Sequence, residues 1–148
     1  MLRKRAWEAG SWSSSGGGQA RVLVESSDAV EQWALETALE DARYEVAVCD
    51  GPSFHGAPCP LVRTGDCPLA GGADVIVNRF RLSEPANQDV VRAVRARWPE
   101  TPVVVEAMPQ ERDRNAELLA DCQVVPGPQS TVGLLAAVHD ALTEAAGP

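Results

Sequence analysis

The chain has 148 residues, 45% of them hydrophobic, which is the size of one ordinary globular domain with enough apolar material for a core and excludes a wholly disordered chain. No run approaches the roughly 18 consecutive apolar residues of a membrane-spanning helix, and the basic start MLRKR is not followed by the apolar segment of a secretory signal, so a cytoplasmic protein is expected. The formal net charge is -8; the first twenty residues carry a local +2, so residues 21–148 hold -10, and so acidic a surface repels phosphate backbones and argues against nucleic-acid partners.

Residues 1–19 are rich in Ser and Gly, with SSSGGG at 13–18, and read as a disordered leader to a domain spanning 20–146. Trp7 and Trp12 leave a short docking motif as the alternative. RVLVE (21–25) is an apolar run without helical period, a buried strand. Asp28 stands three residues before Glu31, and Val30, Ala34, Leu35, Ala38, Leu39 and Ala42 follow at helical spacing. YEVAVC (44–49) is a second strand. Residues 50–72 are dense in Gly and Pro and predict a loop largely replacing a second helix. ADVIVN (73–78) is a third strand, and a helix from about Pro85 places Val90, Val91, Val94 and Trp98 on one face before Pro99 stops it. TPVVVEA (101–107) is strand four, QERDRNAELLAD (110–121) a short helix, and CQVV (122–125) strand five. Ser130 or Thr131 caps a last helix whose buried stripe is predicted as Val132, Leu135, Val138 and Leu142.

Strands alternating with helices imply a parallel sheet covered on both faces, because parallel neighbours need crossover connections. Five such units fit a flavodoxin-like, doubly wound α/β/α fold with a five-stranded parallel sheet in the order 2-1-3-4-5. Ligands of that fold sit outside the carboxyl ends of the strands, here Glu25–Ser27, Asn78–Arg81, Glu106–Met108 and Pro126–Pro128.

The segments ARVLVESSDAV (20–30), WPETPVVVEA (98–107) and LLADCQVVPGP (118–128) give the chain a resemblance, over about residues 20–145, to the receiver domain of bacterial response regulators. The resemblance implies a signalling domain in which two acidic residues after strand one and an aspartate ending strand three hold Mg²⁺. That aspartate takes up a phosphoryl group, which a Ser/Thr after strand four and a Lys after strand five then contact. Mapped onto this chain, the acidic pair is Glu25 and Ser26, and the acceptor position falls on Arg79, or on Asn78 with a one-residue shift. The Ser/Thr position falls on Ala107 or Glu106, and the Lys position on Pro126 or Gly127. Phosphoryl chemistry is therefore not expected. Two readings of Arg79 stay open: a permanent ion pair with Glu25 in place of the metal, or two ordinary strand-end charges. The dipeptide Gly127-Pro128 is a candidate for a cis turn.

A second feature is the spacing C-x5-H-x3-C-x7-C of Cys49, His55, Cys59 and Cys67. Thiolates and imidazole are the ligand set of structural zinc, and thiolates that of Fe–S clusters. Cys59-Pro60 and Cys67-Pro68 also resemble a short haem-regulatory motif. The other readings are a reversible disulfide and plain packing. The sequence thus supports, first, a non-enzymatic receiver-like domain with no cofactor that acts by protein–protein contact. The contact would run through Gln110–Asp121 and Thr131–Leu142, the face that the resemblance implies for partners or a homodimer. The alternative is a redox, metal or haem sensor working through loop 49–67.

Overall fold

The computed structural model describes residues 11–13 and 18–147. Five strands, β1 (Arg21–Glu25), β2 (Glu45–Cys49), β3 (Val75–Asn78), β4 (Val103–Ala107) and β5 (Gln123–Pro126), form one parallel sheet in the order β2-β1-β3-β4-β5. Helices α1 (Ala29–Asp41), α5 (Pro85–Arg97) and α6 (Pro109–Arg114) each make one crossover, α2 (Gly51–His55), α3 (Pro60–Thr64) and α4 (Pro68–Gly71) share another, and α7 (Thr131–Ala145) follows the last strand. Among the described residues no helix is long and apolar enough to cross a membrane.

Alternation along each strand divides the core in two. Val22, Val24, Val46, Val48, Val75, Val77 and Val104 face α1 and α7, where Leu35, Leu39, Leu134 and Val138 meet them. Leu23, Ala47, Cys49, Ile76, Val103 and Val105 face the opposite layer of α3, α4 and α5, with Leu61, Leu69, Val90, Val91 and Val94. Asp28 caps α1, its carboxylate accepting from the Glu31 amide at 2.9 Å, and the Ser130 hydroxyl caps α7 by accepting from the Gly133 amide at 3.0 Å.

Several expectations need correction. Residues 50–72 are not an open loop but three helical turns. Each has a proline in its first turn, and the first two end on Gly56 (φ 63°) and Gly65 (φ 79°) in the left-handed region. The helix expected over 110–121 ends as a helix at Arg114 and continues as turns, and Glu111 in its first turn has a structural part. Its carboxylate accepts from the amides of Leu82 (2.7 Å) and Met108 (3.1 Å), tying α6 to the loop after β3. The buried stripe of α7 is Leu134, Ala137, Val138 and Ala141, and Val132 is 76% exposed.

The leader expectation concerns mostly residues outside those described, Trp7 among them. Residues 11–13, however, lie on the domain. The Trp12 indole donates to the Leu69 carbonyl at 2.9 Å, and the Ser13 amide to a Glu45 carboxylate oxygen at 2.7 Å. Arg21 donates to the Ser13 carbonyl at 2.8 Å and stacks over the Trp12 ring.

Candidate functional site

In a parallel α/β sheet every strand ends at the same edge, and the loops there gather residues distant in sequence. Glu25, at the end of β1, stands in register with Cys49 on one side and Asn78 on the other. Register partners project to the same face, so the Asn78 amide reaches the Glu25 carboxyl directly, Nδ2 donating to Oε1 at 3.0 Å. The Asn78 Oδ1 in turn accepts from the Phe80 amide at 3.2 Å, and both side chains are buried. Burial raises Glu25 from an ordinary 4.5 to about 7, an effect only partly opposed by the Asn78 hydrogen bond. Ser26 is buried too; its amide donates to the Cys49 carbonyl, and its own carbonyl accepts from the Gln32 side chain at 2.9 Å.

Arg79 comes one residue later and therefore projects to the other face. Its side chain, 5% exposed, makes a forked contact with Glu106 at the end of β4, Nε to Oε1 at 3.0 Å and Nη2 to Oε2 at 3.4 Å. Glu31 on α1 stands 3.7 Å away, and Glu106 Oε2 also accepts from the Gln129 amide at 2.7 Å. Of the two readings left open for Arg79, the side-chain pair with Glu25 is therefore not formed, and the arginine pairs with Glu106 instead. Only the Arg79 backbone amide meets Glu25, donating to its carbonyl at 2.8 Å. Glu31 and Gln129 were not foreseen as partners, although strand alternation assigns Arg79 and Glu106 to one face.

The remaining positions carry no functional side chain. Ala107 is buried, its carbonyl accepting from the Gly127 amide at 2.9 Å. The Gly127-Pro128 peptide is cis. A Cβ on Gly127 would lie 3.2 Å from both Glu106 Cγ and Met108 Sδ, so the position where the resemblance calls for a lysine is crowded against β4. The Mg²⁺ that the resemblance implies does not fit these residues. The carboxyl that closes β1 is buried, raised toward neutrality and hydrogen-bonded to an amide, and its neighbour Ser26 brings no second carboxylate.

The cysteine segment is rearranged as well. Cys49, Cys59 and Cys67 line one small cavity of about 20 Å³ with Glu25, Leu23, Leu61, Ala70, Val90 and Val94. His55 does not join them: its Nε2 stands 3.8 Å from an Asp50 oxygen and its ring packs edge-on to Phe54. Among the described residues no group of three or more His, Cys, Asp or Glu side chains is placed to hold a metal, so the zinc and cluster readings are not supported by the geometry. The cavity has room for about one water and is too small for a haem. None of Cys49, Cys59, Cys67 and Cys122 is joined in a disulfide. Burial pushes Cys59, Cys67 and Cys122 up, away from the thiolate that ligation and disulfide exchange require.

No family sequence model matches the chain, and no curated protein does. Solved structures do. A chemotaxis protein, CheY4, from Vibrio cholerae is 19% identical with a TM-score of 0.61, covering 84% of this chain and 99% of that one. A response regulator receiver protein from Sinorhizobium medicae is 20% identical with a TM-score of 0.63, covering 86% and 97%. The receiver domain of HemR from Leptospira biflexa is 21% identical with a TM-score of 0.61, covering 84% and 95%. The chain has the fold of the response regulator receiver domains. Against that fold, Glu25, Asn78, Glu106 and Gly127 fall at the ends of β1, β3, β4 and β5, where the receiver mapping of the sequence put its functional groups.

Proposed function

We propose that this chain is a non-enzymatic, receiver-like regulatory domain of the cytoplasm that takes up no phosphoryl group at the end of β3 and acts by protein–protein contact. The observation that carries the reading is Asn78. It stands at the end of the central strand with its amide committed to Glu25 on one side and Phe80 on the other. An amide is no phosphoryl acceptor. In this reading the Arg79–Glu106 pair replaces the phosphate-dependent switch with a permanent link from β3 to β4, continued to the turn before α7 by the Gln129 amide.

The partner surface in this reading is the α6–β5–α7 face, Gln110–Asp121 and Thr131–Leu142, used for a partner protein or a second copy. Two features support it: α6 buries none of its residues, and β5 is the half-exposed edge of the sheet. The acidic net charge disfavours nucleic acid as the partner.

Incubation with acetyl phosphate and Mg²⁺, followed by intact-mass analysis, tests the chemistry. No phosphoryl adduct is expected, and a stoichiometric adduct on the native chain overturns the reading.

A further inference from the structure

Glu25 and the cysteines face a closed cavity of about 20 Å³, and outside it an open groove of about 310 Å³ runs between α2, α3 and the first turn of α5, past Pro52, Pro58, Val62 and Ala86. Among the described residues Cys59, 8% exposed, alone lines both spaces. Its side chain is therefore the partition between the groove and the buried carboxyl.

The stretch that carries the partition is lightly held. Residues 57–64 lie between Gly56 and Gly65, both in the left-handed region with open space where a Cβ would stand. Among the described residues the hydrogen bonds of this stretch are local: the Ala57 amide donates to the Pro52 carbonyl at 3.3 Å and the Arg63 amide to the Cys59 carbonyl at 2.9 Å. Pro58 and Pro60 have no amide hydrogen to give, and α3 starts without a side-chain cap. Within the stretch only Cys59 and Leu61 are buried. A segment with few buried contacts and no hydrogen bond to the sheet opens at lower cost than the sheet itself.

Behind the partition Glu25 takes one side-chain donor, the Asn78 amide of β3 at 3.0 Å. The titratable groups that face it from the other elements are thiols, Cys49 on β2, Cys59 at the start of α3 and Cys67 at the start of α4, and α5 contributes Val90 and Val94. Asp66, before α4, adds a further negative charge that acts on Cys67, and Arg79 faces the opposite layer. No lining side chain is basic. A neutral carboxyl is satisfied by one amide, whereas a carboxylate has several acceptor sites and draws in donors. Burial holds Glu25 at about 7, so the unsatisfied form arises as pH approaches neutrality.

We propose that residues 57–64 form a flap controlled by the protonation of Glu25: with the carboxyl neutral the Cys59 partition stays shut, and with it ionised the flap swings on Gly56 and Gly65, water from the groove reaches the carboxylate, and the Cys59 thiol is uncovered. The open state releases a proton that the closed state holds. Opening therefore gains as pH rises from the ordinary 4.5 to about 7 and levels off above. The device gives the domain an input that needs no phosphoryl group and changes the groove beside α5, whichever face meets a partner.

The test follows iodoacetamide alkylation of Cys59 in the full chain by mass spectrometry, between about pH 5 and pH 8, in the native protein and in Glu25→Gln. An opened Cys59 has the same thiolate fraction in both, so the ratio of their rates isolates opening. That ratio is expected to rise by about tenfold or more over the interval. In the native chain the opening constant read from Cys59 should also exceed, by about tenfold or more, the one read from hydrogen exchange of the Ile76 amide on the central strand. Should Glu25→Gln not fold, exchange of the Arg63 and Gly65 amides in the native chain, corrected for the intrinsic rate, should accelerate over the same interval. A ratio that stays level with pH overturns the proposal, because Glu25 then does not control the flap. So do equal constants at Cys59 and Ile76, which belong to whole-chain unfolding, or Arg63 and Gly65 amides whose corrected exchange is constant with pH.

Discussion

The two faces of the sheet are built differently. Toward α1 and α7 the strands present valine almost without exception, and two helices of 13 and 15 residues close over them. Toward α2–α5 the same strands present Leu23, Glu25, Ala47, Cys49, Ile76 and Asn78, roofed by three turns of four or five residues, one long helix and the indole of Trp12. The strand side chains of the first face are apolar up to the carboxyl edge, where Arg79, Glu106 and Glu31 satisfy one another at the rim, and its buried polar groups Gln32 and Glu36 come from α1. The second carries an ionisable carboxyl into the core beside three thiols and holds it with a single side-chain amide. Under a regular layer the strand side chains can stay apolar because the helices fill the space evenly. A layer assembled from short turns leaves gaps that small and polar side chains occupy. The irregular face is therefore where changes of charge should be felt most.

Asn78→Asp gives the largest expected effect. It restores an acid at the end of β3, but it removes the donor to Glu25 and sets two carboxyls against each other in a buried site. A buried charge left uncompensated costs about 3–5 kcal/mol, so urea unfolding of this variant should show a midpoint far below that of the native chain. The deficit should grow with pH, because both acids ionise only at increasing cost. The variant should also remain unphosphorylated by acetyl phosphate, since no other residue of the pocket is changed. A variant as stable as the native chain would mean that Glu25 is not held as described.

Glu25→Gln probes the same face from the other partner. In the folded chain this carboxyl sits near 7 against an ordinary 4.5. Between those values the folded state holds a proton that the unfolded state releases. Stability is thus full below the ordinary value, falls as pH rises through the window, and reaches its low level above about 7. The shift corresponds to about 3 kcal/mol. Glutamine keeps an oxygen for the Asn78 amide but has nothing to titrate. The variant should match the native chain near pH 4.5 and exceed it by up to about 3 kcal/mol near pH 8. Parallel pH profiles for the two proteins would remove the buried, proton-holding Glu25 from the description.

The same contrast explains what could be read in the sequence. The five apolar runs and the two long-helix patterns of 29–41 and 85–97 were plain, because a buried parallel strand and an amphipathic helix each repeat long enough to show a period. The segment 50–72 showed none. Its helices are four or five residues long, and only the prolines at 52, 60 and 68 and the glycines at 56 and 65 mark where they start and stop. In α7 the abundance of alanine blurred the stripe, so Leu134 and Ala141 rather than Leu135 and Leu142 turned out deepest. At the site, Glu25, Asn78 and Arg79 were legible as positions, but their pairing was not. It follows from which strand residue faces which layer, and that parity depends on where β3 ends. Placing its end at Asn78 sends Arg79 away from Glu25 and toward Glu106.

Arg79→Met tests the regular face and should have the smallest effect of the three. The methionine fills much of the arginine's volume, so the loss is mainly electrostatic. Glu31 is half exposed and contributes little to the pair. Glu106 is different: its side chain is 14% exposed, and without the guanidinium it keeps only the Gln129 amide. Leaving that carboxylate partly buried and underpaired is expected to cost about 2 kcal/mol. A second change, Glu106→Gln, removes the stranded charge while its carbonyl still accepts from Gln129, so the double variant should recover about half of the loss. The Gln129 amide should meanwhile exchange faster with solvent in Arg79→Met than in the double variant, because the β4 side chain that anchors the turn before α7 has lost its own support. If the single substitution is neutral and the Gln129 amide is unaffected, Arg79 fixes nothing, and the permanent link between β3, β4 and α7 has to be given up. If the loss appears but Glu106→Gln recovers none of it, the arginine acts through its packing, and the charge pair is incidental.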